Sequence, residues 1–279
     1  MTSPADLPAR LLALPCSERR QAVAYLRELV GGRRRSLPPR PLSPSELARK
    51  AGLDPDPWQE RLLESRAPRV LLNCSRQAGK STMAAILALH TALFQPDSLV
   101  LLLSPTLRQS QELLEKALAT YHSAGRTVEA STESALRLEL CNGSRIVSLP
   151  GKEDTVRGFS GVNLLVVDEA ARVPGDLYLS VRPMLAVSGG RLLALSTPLG
   201  TRGWWYEAWR SDEPWERYEI PASECPRIAP EFLDEERRAM GAWWFGQEYE
   251  CQFFDAETQP FGREEVDQAF EEETEAWTL

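Results

Sequence analysis

Four short, uninterrupted apolar runs punctuate the chain: Val70-Leu71-Leu72, Leu99 to Leu103, Leu164 to Val167 and Leu192 to Leu195. None shows the alternation of a half-exposed strand, and each is too short for a buried helix. That is the signature of strands covered on both faces of a parallel sheet. After the first, Met83 to Leu89 begins a helix-forming segment that lasts until Pro96. After the second, a helix rich in Gln, Glu, Leu and Ala is predicted from about Leu107 to Tyr121. The repeat of strand and helix predicts an α/β fold with a mainly parallel sheet flanked by helices. The rhythm breaks once. Leu136 to Cys141 and Arg145 to Leu149 alternate around Asn142-Gly143, a strong hairpin signal that extends a sheet edge in its simplest reading.

The flanks have a different texture. Ala22 to Val30 places Val23, Leu26 and Val30 on one helical face, with Ser17 as an N-cap and Gly31-Gly32 as a stop. Arg33-Arg34-Arg35 and the prolines at 38, 39, 41 and 44 then make a stiff linker, its arginines either solvated or in reach of nucleic-acid phosphates. These shifts divide the chain into an adaptor at 1–48, a principal domain at 49–257 and an acidic tail at 258–279.

Composition changes the picture in four places. With 279 residues and 43% hydrophobic content, the chain can bury one large core. No run approaches the roughly 18 apolar residues that span a bilayer, and Met1 to Arg10 lack the pattern of a secretion signal, so a cytoplasmic protein is expected. The net charge of −8 argues at first against a polyanionic partner, but Thr258 to Leu279 contributes −6 of it and leaves −2 for the rest. Five cysteines stand singly, without Cys-x-x-Cys pairs, and are read as reduced, mostly buried thiols.

Candidate chemistry sits at the ends of the apolar runs. Between the first run and its helix lies Cys74-Ser75-Arg76-Gln77-Ala78-Gly79-Lys80-Ser81, followed by Thr82. In a P-loop, backbone N–H groups and the helix dipole favour a phosphate in the turn. Gly79 admits the phosphate, Lys80 reaches its outer oxygens, and the Ser81 hydroxyl suits Mg²⁺. The departure is Cys74, where the regular loop has glycine. The third run ends in Asp168-Glu169, one carboxylate suited to a metal's water shell and the other to orienting and deprotonating a water. The fourth ends in Ser196-Thr197-Pro198, whose hydroxyls either sense a γ-phosphate or form a plain turn. Upstream, Asp54-Pro55-Asp56-Pro57 starts a helix carrying Trp58-Gln59, an adenine clamp or packing. The aromatic clusters Trp204-Trp205-Tyr206 with Trp209, and Trp243-Trp244-Phe245, are core packing or base-stacking platforms.

Taken in order, these motifs resemble the ATPase domain of the large terminase subunit, the motor that packages double-stranded DNA in tailed phages and herpesviruses. The resemblance rests on Trp58-Gln59, the Ser75-Arg76-Gln77-Ala78-Gly79-Lys80-Ser81-Thr82 loop, Leu164 to Glu169, Ser196-Thr197-Pro198 and Gln247 to Phe253. It covers about residues 50 to 262. It implies an additional-strand (ASCE) P-loop NTPase, with ATP and Mg²⁺ as cofactors. Ser75 to Thr82, Trp58, Gln59 and Thr197 would bind nucleotide, Ser81 and Asp168 the metal, and Glu169 would be the catalytic carboxylate. Arg76 and Arg157 would stabilise transition-state charge. Arg157, in Val156-Arg157-Gly158-Phe159, is either presented to a neighbouring subunit or a solvated loop residue. Double-stranded DNA, a homo-oligomeric ring, a small terminase, a portal and a separate nuclease are the implied partners, in the host cytoplasm. The family's RNase H-like nuclease is expected to be missing, because the tail acids lack strands to hold them. The rival readings are a helicase-like DNA-dependent ATPase and a non-catalytic adaptor that recruits a nuclease or portal.

Overall fold

The computed structural model describes residues 42–150 and 158–254, with Leu14, Pro15, Glu18, Arg19, Ala22 and Val23 ahead of them. Arg157, the arginine triplet, most of the helix expected before it and the acidic tail lie outside the described residues.

The apolar runs form the centre of an eight-stranded sheet. Its strands are β1 (Arg69–Cys74), β2 (Leu99–Ser104), β3 (Ala130–Glu133), β4 (Arg137–Leu140), β5 (Arg145–Pro150), β6 (Leu164–Asp168), β7 (Arg191–Ser196) and β8 (Glu216–Ile220). Their spatial order is β3-β4-β5-β2-β6-β7-β1-β8. From β5 to β8 the pairing is parallel, in a register that sets Leu71 against Ala194 and Leu102 against Val166. At the other edge β3, β4 and β5 run antiparallel, so the hairpin around Asn142-Gly143 extends the sheet. Asn142 Nδ2 donates to Ala92 O at 2.8 Å, tying this turn to the helix after β1.

The continuous apolar runs have a direct explanation. Val70, Leu72, Val100, Leu102, Val166 and Leu193 face one core, under the helices α3 (Lys80–Phe94) and α4 (Leu107–Ser123). Their alternates Leu71, Leu101, Leu103, Leu165, Val167 and Leu192 face a second core, under α5 (Gly175–Val181) and α6 (Trp204–Arg210). With both faces covered, every position of these apolar runs is buried. Two short helices, α1 (Pro44–Lys50) and α2 (Pro57–Glu64), pack beside α3, and α7 (Pro230–Tyr249) closes the described chain with a kink at Gly241. Among the described residues no helix is long and apolar enough to cross a membrane.

The first aromatic cluster belongs to the second core. Trp204 stacks on Tyr178 at 3.9 Å between centroids and donates from Nε1 to Val173 O at 2.8 Å, while Trp205 is buried. In the second cluster Phe245 is buried and Trp244 is exposed. The cysteines divide as well. Cys74, Cys225 and Cys251 are free and buried, with burial pushing the Cys251 thiol up to about 12. Cys141, however, is disulfide-bonded, against the expectation of reduced thiols throughout. Spacing along the chain reveals local Cys pairs, whereas a bridge is made by residues that folding brings together.

One glycine is fixed by close approach rather than by its backbone angles. A Cβ at Gly190, just before β7, would stand 1.9 Å from Val162 O and 3.0 Å from Leu185 Cδ2. Gly190→Ala must push the start of β7 from the segment entering β6, at a cost of about 1–3 kcal/mol. The expected result is a melting temperature lower by several degrees in thermal unfolding. An unchanged melting temperature would contradict this close packing.

Candidate active site

The P-loop is built by strand, turn and helix in immediate succession. β1 ends at Cys74, the chain turns through Gln77 and Gly79 with φ of 59° and 91°, and α3 begins at Lys80. Gly79 is required, because a side chain at this positive φ would also stand 3.0 Å from Gln59 Nε2. Cys74 needs no such freedom. It is a strand residue without positive φ, wholly buried, and burial holds its thiol well above its ordinary pKa and therefore neutral. The missing glycine thus leaves the shape of the loop intact.

The turn is braced from outside. Ser75 N–H donates to Ile220 O and Arg76 N–H to Glu248 O, both at 2.9 Å, so β8 and the end of α7 carry it. Arg76 Nε also donates to Glu248 Oε2 at 2.6 Å, where the carboxylate is nearly buried. Asn73 Nδ2 donates to Cys251 O at 2.9 Å, fixing the chain just beyond α7.

Facing the loop are the ends of β6 and β7. Ser81 Oγ donates to Asp168 Oδ2 at 3.1 Å. Lys80 Nζ is 3.3 Å from Glu169 Oε1. Arg172 Nη1 donates to Glu169 Oε2 at 3.0 Å and reaches Thr197 Oγ1 at 3.3 Å. Glu169 holds a left-handed backbone, φ 51° and ψ 44°, an uncommon state for a non-glycine residue of the kind that concentrates at functional positions. Asp168 is 6% exposed, and burial raises its carboxyl above the usual range against the opposing pull of Lys80 and Ser81.

Between these walls lies a cavity of about 440 Å³. Arg76, Gln77, Gly79, Lys80, Ser81 and Thr82 line one side, and Glu169, Arg172 and Thr197 another. Gln109 and Lys116, two turns apart on α4, supply a third. Four of these side chains are cationic and one is anionic, a balance suited to a polyphosphate. Ser81 and Asp168 offer the hydroxyl and carboxylate oxygens that Mg²⁺ takes, and an ion there would favour the charged form of the buried Asp168. Among the described residues no group of three or more His, Cys, Asp or Glu gathers for a metal. An ion at this site would therefore complete its shell with water and phosphate oxygens, as Mg²⁺ usually does.

Most of the residues expected from sequence meet in this cavity, but Trp58 and Gln59 do not. Trp58 is 2% exposed in the core beneath α2. Gln59 Oε1 accepts from Asp56 N–H at 2.9 Å and its Nε2 donates to Ala78 O at 3.2 Å, so its amide is committed behind the loop. In this structure the pair braces the P-loop and presents no face to a base, because α2 turns both side chains inward. Ser75 and Ala78 are likewise buried within the loop itself. Arg172, Lys116, Gln109 and Arg227 were not anticipated. Arg172 alone had a local signal, its i, i+3 spacing from Glu169. Arg227 Nη2 joins Gln59 at Ala78 O, at 3.2 Å, and its other nitrogen pairs with Asp56.

Residues 71–268 match the family described as terminase large subunit, T4likevirus-type, N-terminal. The chain belongs to the large terminase family. It is 29% identical over 210 residues to the terminase large subunit of Escherichia phage T5, a match covering 71% of this chain and 47% of that protein. This chain thus spans about half the length of that terminase. Among solved structures, the large terminase ATPase domain of Thermus phage P74-26 superposes with a TM-score of 0.67 at 22% identity, over 74% of this chain and 96% of that one. The large terminase of the thermophilic bacteriophage D6E, in complex with ATP-gamma-S, superposes with 0.61 at 12% identity, over 71% and 53%. These likenesses establish the additional-strand P-loop fold, which this terminase shares.

Proposed function

We propose that this terminase chain is an ATP-hydrolysing motor domain that drives double-stranded DNA packaging. The reading is carried by the meeting of Lys80, Ser81, Glu169 and Thr197 at one cavity, with Asp168 behind it on the Ser81 hydroxyl, at the ends of three adjacent strands. Lys80 and the backbone N–H groups around Gly79 would bind the outer phosphates. Ser81 and Asp168 would hold Mg²⁺, which neutralises phosphate charge when bound. Glu169 would take a proton from the water that attacks the γ-phosphorus, as the bond to the β-phosphate oxygen breaks. Arg76 lines the cavity and, with Arg157, is a candidate for transition-state charge stabilisation. The ATP-gamma-S complex of the D6E terminase supports a nucleotide in this fold.

The same reading assigns motor function to residues 49–257, with 1–48 as an adaptor and 258–279 as an acidic tail. It places the chain in a ring that acts on DNA with a portal, a small terminase and a nuclease.

Phosphate release tests it, measured with Mg·ATP over a range of protein concentrations, with and without double-stranded DNA. Turnover is expected to rise with duplex DNA and to vanish when EDTA removes the metal. No release under any of these conditions would overturn the reading in favour of a nucleotide-binding adaptor, and preferential stimulation by single strands would favour a helicase.

A further inference from the structure

Arg172 takes part in none of the steps above, yet it touches both Glu169 and Thr197. Its Nη1 stands 3.0 Å from Glu169 Oε2 and 3.3 Å from Thr197 Oγ1, on the lining of the cavity. The carboxylate of Glu169 is held at both oxygens, by Lys80 at Oε1 and by Arg172 at Oε2. These two partners differ in what a nucleotide asks of them. Lys80, the first residue of α3 beside Gly79, is placed to turn to phosphate oxygens, which carry more charge than one carboxylate. Once it does, Arg172 is the cation left on Glu169.

The anchorage of Arg172 is firm. It closes the short 3-10 turn Ala170–Arg172, its own N–H donating to Glu169 O at 2.9 Å. The preceding N–H, from Ala171, donates to Ser196 Oγ at 3.2 Å. The turn after β6 is therefore fastened to the end of β7 at Ser196 and, through the guanidinium, at Thr197. Glu169 has a left-handed backbone and a partly exposed side chain, so without a fixed partner its carboxylate has several rotamers open to it.

We propose that Arg172 is a positioning residue, which keeps the Glu169 carboxylate aimed at the attacking water after Lys80 has moved to phosphate and links that carboxylate to Thr197. The proposal rests on the hydrolysis assigned above. It is tested in the full chain with duplex DNA present, by measuring kcat and KM for ATP together with the affinity of a fluorescent ATP analogue. Arg172→Ala is expected to lower kcat by about 10- to 100-fold, part of the 10²- to 10⁴-fold typical of a general base. KM and analogue affinity should stay within about threefold, which also reports an intact P-loop. Arg172→Lys keeps the charge and should recover part of the loss. Because the arginine acts through the carboxylate, Glu169→Gln with Arg172→Ala should be no slower than Glu169→Gln alone.

Wild-type kcat in Arg172→Ala would overturn the proposal, as would a fully additive loss in the double variant. A loss of affinity as large as the loss of kcat would overturn it too, by making Arg172 a phosphate ligand. A wild-type protein without turnover is a different failure, that of the hydrolysis reading itself.

Discussion

Lys80→Ala is expected to deprive this terminase of both nucleotide affinity and turnover. The Lys80 side chain is 11% exposed at the head of α3, the wall opposite carries Glu169, and the P-loop fixes its backbone. Truncating one member of a desolvated, charge-assisted contact costs about 2 to 5 kcal/mol, roughly 30-fold to several thousand-fold in affinity. Lys116 and Arg172 remain on the cavity, but they approach from α4 and from the turn after β6, so they cannot replace a cation held beside the loop amides. Alanine suits the first turn of a helix, and Glu169 keeps Arg172 as its partner, so the fold should survive. Titration with a fluorescent ATP analogue and phosphate release together check this. Wild-type affinity would show that phosphates are bound elsewhere.

The sequence discloses what burial on two faces and local spacing encode. The four central strands are legible because each apolar run is covered above and below, and their order along the chain places Lys80, Asp168, Glu169 and Thr197 at strand ends. β8 is not legible. Within Glu216-Arg217-Tyr218-Glu219-Ile220 only Tyr218 and Ile220 face a core, so the alternate residues Arg217 and Glu219 stay polar and no apolar run forms. Yet β8 supplies the Ile220 carbonyl that braces the P-loop. The bond between Arg76 and Glu248 spans 172 residues and is likewise a product of tertiary packing. The Trp58-Gln59 pair lies away from the cavity for a related reason. Motif spacing says that these residues stand near a P-loop, whereas the facing of α2 decides whether they meet a ligand or the core.

Glu169→Ala should separate binding from chemistry more sharply than any other change. Among the described residues Glu169 is the one acidic side chain lining a cavity that also carries Arg76, Lys80, Lys116 and Arg172. In the structure it occupies two of those cations, Lys80 and Arg172, that an incoming polyphosphate would otherwise pair with. Its removal therefore frees positive charge at the site, and analogue affinity should match or exceed that of the wild type. Hydrolysis should fall by about 10²- to 10⁴-fold, the contribution of a general base. Asp168 is poorly suited to replace it, because that carboxylate is buried and takes the Ser81 hydroxyl on one oxygen and the Glu169 N–H on the other. A variant that binds and hydrolyses normally would remove the carboxylate from the mechanism. One that fails to bind would make Glu169 a structural counter-ion whose loss collapses the loop, an outcome that thermal unfolding distinguishes because the collapse would lower the melting temperature while loss of chemistry alone would not.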